Sequence, residues 1–331
     1  MAVTSYGVND ALAVKLWSKE LAVEALKKTY FANFIGSGAG SLIQLKTETQ
    51  KGAGDKINFG LRMQASGDGV LGDGVLEGNE ESLTTYSDAV YIDQLRHAHR
   101  TGGRVSEQRV PFDLRQECKD SLSDWWANRL DFAFANQICG NTGQADTRYT
   151  GNQATIAPSS TRIVYANSSR NSEATINSSD TFTLSMIDKA VEAARTASPM
   201  IRPLKINGSD YYVAFLHDYQ VTDLRINTST GQWLDIQKSS MMGGKIEDNP
   251  IMTGALGVYN GVILYRWNRI PVAPSSAAAG AGNVRRAVLC GAQAAMLAFG
   301  QDNSPSKFTW VEKLFDLNGA NDNREVVAFA A

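Results

Sequence analysis

The longest helical signal in this sequence begins at Pro111 and runs to Gly140 with no glycine or proline in between. Proline is tolerated in the first turn of a helix, because its missing N–H would have had no partner there. At 1.5 Å per residue, the run makes a helix of about 40 Å. Apolar side chains recur at steps of three and four residues, at Cys118, Leu122, Trp125, Trp126, Leu130, Ala133 and Ile138. We therefore predict a spine helix packed against a sheet through Leu122, Trp125, Trp126 and Leu130, with Lys119 and Asp124 facing elsewhere.

A long hairpin is predicted before this helix. One strand, KINFGLRM, starts at Lys56, and a second, AVYIDQLRHAH, starts at Ala89. The 26 residues from Gln64 to Ala89 are rich in Gly, Asp and Glu. Connections longer than about 12–15 residues are usually functional or disordered, and a lone hairpin has nothing to cover its apolar face. We expect a projecting hairpin that another surface stabilises, such as a neighbouring subunit.

The remaining pattern is mixed α+β. Apolar periodicity predicts a first helix over Asn9–Phe34. A segment rich in Ser, Thr and Asn, from Asn141 to Asp180, is typical of a surface loop. The segments that follow it predict a helix from Thr183, a strand from Tyr211, a helix over DYQVTDLRI, and strands from Gly254, Arg285 and Phe308, with AQAAMLA as a short helix.

Composition excludes several classes of protein. The formal net charge of -2 and the pI near 6.0 provide no basic field to hold nucleic acid. No apolar run approaches the roughly 20 residues that span a bilayer, and no secretory signal opens the chain. We expect the chain to fold in a cytoplasm, with its three cysteines, Cys118, Cys139 and Cys290, as small buried apolar residues.

The hairpin connection contains GDGVLG from Gly67 to Gly72, which matches a dinucleotide-binding pattern by the letter. Gly74 and Gly78 prevent the helix that this chemistry requires. Asp68, Asp73 and Glu77 lack the spacing of a calcium loop. The prediction is a solvated acidic tip.

His97 and His99 follow in the sequence QLRHAHR, and both would lie on one side of the second hairpin strand. Two imidazoles could share a cation, but a zinc site needs a further ligand that the sequence does not supply. We interpret both as polar strand positions near an assembly surface. The surrounding arginines suit carboxylates of another chain, because a guanidinium pairs with a carboxylate through two hydrogen bonds. The predicted assembly residues are Arg62, Asp68, Asp73, Glu77, Arg96, His97, Arg100 and Arg104. No catalytic, cofactor-binding or metal residue is predicted.

The order of elements resembles the major capsid proteins of tailed bacteriophages with the Hong-Kong-type shell fold, especially the family of the coat protein of phage N-four. The segments that carry the resemblance are MAVTSYGVNDALAVKLWSKELAVEALKKTYFANFIG, RVPFDLRQECKDSLSDWWANRLDFAFANQICG, TLSMIDKAVEAARTA, YYVAFLHDYQVTDLR, GVYNGVILYRWNRIP and AVLCGAQAAMLAFG. The stretch from Asn141 to Asp180 has no counterpart in the common core, so the start of the axial domain is open.

The resemblance implies an α+β capsid fold with an N-terminal arm, an extended hairpin loop, a spine helix, and peripheral and axial domains. The expected ranges are 1–45 for the arm, 46–105 for the hairpin, 106–144 for the spine, 145–285 for the axial domain with its Ser/Thr/Asn-rich insertion, and 286–331 for the return to the peripheral domain. Arm and hairpin are expected to become ordered only on sister copies.

The implied function is that of a non-enzymatic subunit that self-assembles, as hexamers and pentamers, into the head around double-stranded DNA. The implied partners are a separate scaffolding protein, a portal, a decoration protein and DNA held by non-specific confinement, without a membrane or a cofactor. Assembly would occur in the bacterial host cytoplasm and the product would be the virion capsid. Two alternatives stay open: an encapsulin-type bacterial compartment with the same fold, and a monomeric enzyme or sugar-binding module.

Overall fold

A computed structural model describes the chain in segments. The residues described are 21, 23–25, 28–38, 40–46, 56–62, 65, 67–83, 85–91, 94–100, 108–111, 113–167, 169–198, 200–206, 208–227, 255–273, 284–299, 311–316 and 325–330. The strands are β1 (Ile35–Gly36), β2 (Ile43–Lys46), β3 (Lys56–Arg62), β4 (Thr85–Tyr91), β5 (Ala98–Arg100), β6 (Leu204–Ile206), β7 (Ser209–Leu216), β8 (Ala255–Tyr259), β9 (Val262–Arg266), β10 (Val288–Cys290), β11 (Ala295–Ala298), β12 (Val311–Asp316) and β13 (Glu325–Ala330). The α-helices are α1 (Leu114–Ile138), α2 (Thr147–Thr150), α3 (Leu184–Thr196) and α4 (Asp218–Ile226). This mixture confirms the predicted α+β class.

The central sheet has the strand order β10-β7-β9-β8, with β6 also paired to β7. Strand β7 runs parallel to β9 and antiparallel to β10. All five residues from Tyr212 to Leu216 are buried. Because a strand that is covered on both faces buries every side chain, its sequence is a continuous apolar run, as in YYVAFL.

Helices α3 and α4 cover one face of this sheet. Ile187, Val191 and Ala194 of α3 form one hydrophobic cluster with Tyr212 and Leu216 of β7. The buried residues of α3 recur at steps of three and four, because that spacing keeps side chains on one side of a helix. Both helices were predicted at these positions, and the structure confirms them.

Aromatic side chains from four parts of the chain pack on the opposite face. Phe31 lies with its ring centroid 3.8 Å from that of Phe134 in α1, 5.5 Å from that of Phe215 in β7 and 4.5 Å from that of Trp267 after β9. The Tyr30 ring stacks on Trp267 at 5.8 Å. This cluster fastens the spine helix to the central sheet through the N-terminal segment.

The N-terminal segment runs alongside α1 in the same direction. Lys119 Nζ lies 3.1 Å from Glu24 Oε1, and further along both segments the Tyr30 N–H donates to Asp131 Oδ1 at 3.1 Å. Residues 21, 23–25 and 28 are α-helical, while Tyr30–Phe34 form a 3-10 helix. The predicted α-helix therefore does not continue to Phe34, and its portion before residue 21 lies outside the described residues. The expectation that the arm becomes ordered only on sister copies is wrong for the described residues from Tyr30 onwards, since they pack on their own chain.

The spine helix differs from its prediction in its ends and in its buried face. It begins at Leu114, three residues beyond Pro111, where the Asp113 carboxylate accepts the Arg115 N–H at 2.9 Å. Its buried residues are Lys119, Leu122, Ser123, Ala127, Asp131, Ala135 and Asn136. Leu122 is fully buried, but Trp125, Trp126 and Leu130 are only half-buried. Lys119 faces the arm at 4% exposure instead of pointing away from the core.

The C-terminal end of α1 is closed by an arginine from a distant segment. The Arg286 guanidinium donates to the carbonyl oxygens of Cys139 and Gly140 and forms an ion pair with Glu173. A cation at this end also faces the negative pole of the helix dipole. Arg286 thereby holds the Ser/Thr/Asn-rich segment against the end of the spine.

Three further regions show details that the sequence did not predict. Strands β8 and β9 are joined by Asn260 and Gly261, both with positive φ, as a tight hairpin turn requires. AQAAMLA is not a helix: it is a turn followed by β11, which pairs in parallel with β2. Strand β13 was not predicted, and it pairs with both β12 and β5.

We predict that Asp131→Asn changes how the stability of the folded subunit depends on pH. Burial raises the pKa of Asp131 from its ordinary value near 3.8 to about 6, against the opposing effects of the Tyr30 N–H and Arg269. The folded state then binds the extra proton, so this group favours folding at low pH and loses that contribution as pH rises through about 6. Relative to the wild type, the free energy of unfolding of the variant should therefore rise by about 3 kcal/mol between pH 4 and pH 7. Urea unfolding of purified subunits measures the difference, and Asp124→Asn, at an exposed position of the same helix, is the control for loss of a carboxylate from this helix.

We also predict that Gly140→Ala destabilises the subunit more than Gly208→Ala. Both glycines have positive φ, but an added Cβ at Gly140 would lie 2.9 Å from the Ile156 carbonyl oxygen, whereas nothing lies within 4 Å of one at Gly208. Backbone strain alone costs about 1–2 kcal/mol. Both variants carry the backbone strain, but only Gly140→Ala adds the steric overlap, so the difference between their denaturant midpoints measures the overlap. Equal midpoints would contradict the proposed close approach.

Candidate assembly surfaces

The hairpin predicted from the sequence is present, with somewhat different strands. β3 and β4 pair antiparallel from Lys56 opposite Tyr91 to Arg62 opposite Thr85. Strand β4 thus begins four residues before the predicted Ala89 and ends at Tyr91. Between the strands, every described residue from 67 to 83 except Val70 is exposed. We call residues 67–83 the hairpin tip.

Two tight turns shape the hairpin tip. The Gly74 N–H donates to the Leu71 carbonyl at 3.3 Å, and the Asn79 N–H donates to the Leu76 carbonyl at 3.0 Å. Gly72 and Gly78 take positive φ within these turns. Each turn therefore begins at a leucine and reverses the chain within four residues.

The hairpin tip carries both acidic and apolar side chains. Asp68, Asp73 and Glu77 are exposed, as a solvated acidic tip requires. However, four aliphatic side chains are also left in water: Leu71 at 92% exposure, Val75 at 69%, Leu76 at 61% and Leu83 at 69%. Sequence reasoning missed this apolar component because it counted carboxylates, although the repeated Val-Leu pairs at 70–71 and 75–76 were visible.

The carboxylates of the hairpin tip fall into two groups. Glu81 Oε2 accepts the Gly67 N–H and Glu80 Oε2 accepts the Gly78 N–H, both at 2.7 Å, so these two hold the local backbone. Asp68, Asp73 and Glu77 make no such bond within the described part of the chain. These three are the ones available to an outside partner.

The predicted arginines differ in their distance from the hairpin tip. Arg62 is the last residue of β3, while Arg96 and Arg100 are exposed on either side of the two histidines. Arg104 lies outside the described residues. The structure therefore places Arg62 at the tip end of the hairpin, opposite Thr85, and Arg96 and Arg100 beyond the end of β4.

The two histidines are not in the returning hairpin strand. His97 precedes β5, and His99 lies in β5, which pairs with β13. The His97 ring stacks on Trp125 at 4.5 Å, and His99 Nε2 lies 3.0 Å from Ser121 Oγ. Burial, together with the nearby His99 and Arg129, lowers the pKa of His97. This arrangement attaches the segment before β5 to the spine helix.

A half-buried side of the spine helix has several cation–aromatic contacts. The Arg129 guanidinium lies 5.1 Å from the Trp125 ring centroid and 4.3 Å from that of Tyr149. Trp125 also meets Trp126 edge to face at 5.1 Å. The predicted packing residues Trp125 and Trp126 thus pack partly against charged and aromatic neighbours on the helix surface.

The remaining titratable groups show structural roles. His217 caps α4, because its Nδ1 accepts the Tyr219 N–H at 3.2 Å. Cys139 and Cys290 are buried, and burial raises the pKa of the Cys139 thiol to about 12, whereas Cys118 is only half-buried. Among the described residues, no three His, Cys, Asp or Glu side chains gather as metal ligands would. No described helix has the length and apolarity to cross a membrane.

Comparison with known proteins identifies the class of this fold. Residues 5–328 match a family described as phage capsid protein. The major capsid protein of Pseudomonas phage KPP25 is 25% identical over 351 residues, which cover 95% of this chain and 86% of that protein. The capsid of Ralstonia phage GP4 matches with 29% identity and a TM-score of 0.71, covering 99% of this chain and 92% of that one. The capsid asymmetric unit of cyanophage Pam1, at 21% identity and a TM-score of 0.70 over 92% and 86% of the two chains, shares the fold. The chain therefore belongs to the phage capsid protein family, and it is a tailed-phage major capsid protein with the Hong-Kong-type shell fold.

Proposed function

We propose that copies of this chain form the hexamers and pentamers of an icosahedral head that encloses the double-stranded DNA of a tailed bacteriophage. The observation that carries the proposal is the hairpin tip, which leaves four aliphatic side chains in water on a single copy. Exposed apolar patches on soluble proteins usually mark interaction sites. A two-stranded hairpin is also marginal alone, and an adjacent subunit supplies the missing cover.

The hairpin lies across an adjacent subunit in this proposal. Arg96, Arg100 and Arg104 near its base, and Arg62 at the tip end of β3, pair with carboxylates of that subunit, since guanidinium groups suit bidentate carboxylate pairing. His97 belongs to the same surface through its stacking on Trp125. Exposed pairs of this kind fix orientation more than they add affinity.

The domain layout follows the predicted ranges with one adjustment. Residues 1–45 form the arm, 46–105 the hairpin and 106–144 the spine. The axial domain begins at 145 with the Ser/Thr/Asn-rich insertion. Because β10 pairs with β7 in the central sheet, we place the end of the axial domain after Cys290 instead of at 285. The rest of the chain then returns to the peripheral domain.

DNA is held by confinement in this proposal. Tight sequence-independent binding depends on many cationic contacts to phosphates, and a subunit with a net charge of -2 offers no excess of them. A scaffolding protein, a portal and a decoration protein act in assembly in the bacterial cytoplasm, as resemblance to the family implies. Likeness to phage capsids at 25% and 29% identity favours the virion over an encapsulin-type compartment.

Deleting Val70–Gly78 should leave a folded subunit that fails to assemble. These residues are exposed or half-exposed, so their removal takes little from the core. Circular dichroism and thermal unfolding should match the full-length chain, while electron microscopy should show no closed particles. A Gly/Ser segment of the same length is the matched control for loop length. Normal particles from the deletion would contradict the role of the hairpin tip.

Heads purified from infected cells should contain nuclease-protected double-stranded DNA and no stoichiometric enzyme. Confinement requires a closed shell, so protection should be lost when the shell is opened by denaturant. Sizing the particles and analysing their contents by gel electrophoresis and mass spectrometry would settle the matter. Particles that contain a cargo enzyme and no DNA would support the compartment.

A further inference from the structure

A cavity lies between the Ser/Thr/Asn-rich insertion and the central sheet. Its volume is about 460 Å³, within the roughly 300–1,000 Å³ of pockets that hold small molecules. Helix α3 and strand β7 line it partly with small side chains, among them Ala190, Ala193 and Ala214. Because these side chains end at Cβ, the helix and the sheet leave room between themselves and the insertion.

The insertion closes the cavity with its longest apolar run. The four consecutive residues Ile163, Val164, Tyr165 and Ala166 all line the cavity, and all four are half-buried. Ser, Thr and Asn dominate the insertion on both sides of this run. Apolar side chains in such a segment are favoured where they leave water, so the insertion presents an apolar wall to the cavity.

Arg285 brings an unsatisfied hydrogen-bond donor to the cavity. Its Nη1 donates to the Ile270 carbonyl at 2.8 Å, and its guanidinium carbon lies 6.0 Å from the Tyr219 ring centroid, so two contacts hold the group in place. Its Nε is buried and has no hydrogen-bond partner in the described part of the chain. A buried donor without an acceptor is costly, so the site favours an incoming acceptor.

Arg162 adds a second cation to the lining. It immediately precedes the apolar run of the insertion, so one end of the apolar wall carries a positive charge. Its side chain is exposed and has no hydrogen bond or ion pair to any described residue. An anion at this end of the wall would form charge-assisted hydrogen bonds, which are stronger than neutral ones.

The carboxylates that line the cavity do not meet this demand, because each is already engaged. Glu173 pairs with Arg286, and Asp180 pairs with Arg170 at 2.8 Å. Asp223 accepts the Phe182 N–H at 3.1 Å. Arg162 and Arg285 are therefore the lining cations that lack a carboxylate within the described residues.

We propose that this cavity binds a small amphipathic anion, a molecule with an aliphatic body and a carboxylate head. The body lies between α3 and the Ile163–Ala166 run, and the head meets Arg162 and Arg285. A neutral apolar molecule would leave Arg285 Nε unsatisfied, whereas a small anion without an apolar body would leave the apolar walls in water. Binding therefore needs both parts of the ligand.

The bound ligand ties the insertion to the body of the subunit. The cavity exists only when the insertion, α3 and β7 are packed together, so the ligand binds the folded state and stabilises it. It adds to the attachment that Arg286 makes through Glu173 and the end of the spine helix. This site belongs to a single subunit and goes beyond the shell-forming function.

Isothermal titration calorimetry of the full-length subunit with three probes tests the proposal. Decanoate, which has both parts of the ligand, should bind at one site per chain. Acetate, which has the head alone, should show no binding. Decan-1-ol should bind about tenfold more weakly than decanoate or worse, because its hydroxyl forms only neutral hydrogen bonds.

A charge variant locates the head of the ligand. Arg162→Ala should weaken decanoate binding about tenfold, because it removes an exposed cation of the lining without touching the core. Arg225→Ala is the matched control, since Arg225 is exposed and lies outside the cavity, and it should bind decanoate as the wild type does.

A filled cavity locates the body of the ligand. Ala190→Leu should abolish binding, whereas Glu192→Leu, on the same helix but exposed and outside the cavity, should not. Decanoate should raise the thermal unfolding midpoint of the wild type and of Glu192→Leu, but not that of Ala190→Leu.

Subunits that bind no decanoate, or that bind it with wild-type affinity after either Arg162→Ala or Ala190→Leu, would overturn the proposal. Circular dichroism establishes that each variant is folded. Arg162→Ala keeps the test decisive if Ala190→Leu fails to fold, because Arg162 is exposed. None of these results bears on shell assembly, so the proposed function stands or falls separately.

Discussion

Phe31 is the side chain through which the N-terminal segment, the spine helix and the central sheet are held together. It is 2% exposed, and its ring meets Phe134, Phe215 and Trp267. These partners lie more than one hundred residues along the chain from it, so the cluster forms only when the sheet and the spine are both in place. The buried Asp131 carboxylate fixes the same segment through the Tyr30 N–H. The subunit therefore has a body built around its own N-terminal segment, from which the hairpin projects.

The elements that could be predicted from the sequence are those whose pattern lies within one short segment of the chain. Helices α3 and α4 and strand β7 appear where periodicity and apolar runs place them, because each buries its face against one cluster. The buried face of α1 could not be found in this way. Lys119 and Asp131 lie inside it, and their partners, Glu24 and the Tyr30 N–H, are supplied by a distant segment. A search for apolar residues at helical spacing assigns charged residues such as these to the surface.

The candidate assembly surface was predicted in part for the same reason. The hairpin follows from a long Gly-rich connection between two alternating segments, and both features are local. His97 and His99 were misplaced because β5 leaves the hairpin to pair with β13, close to the other end of the chain. The exposed leucines of the hairpin tip were overlooked because the segment is rich in Gly, Asp and Glu. Composition alone does not show which side chains face the same partner.

The mixed chemistry of the hairpin tip reconciles two demands on a shell subunit. A free subunit with an exposed aliphatic ribbon would associate through its strand edges without control. Carboxylates beside the aliphatic residues oppose such contacts, because like charges repel and charged groups are costly to bury without a partner. The same carboxylates become favourable only where a surface supplies cations next to an apolar cleft. Leu71 and Asp73 place both kinds of side chain in one turn, so this turn is poorly matched to a purely apolar surface and well matched to one that also carries cations.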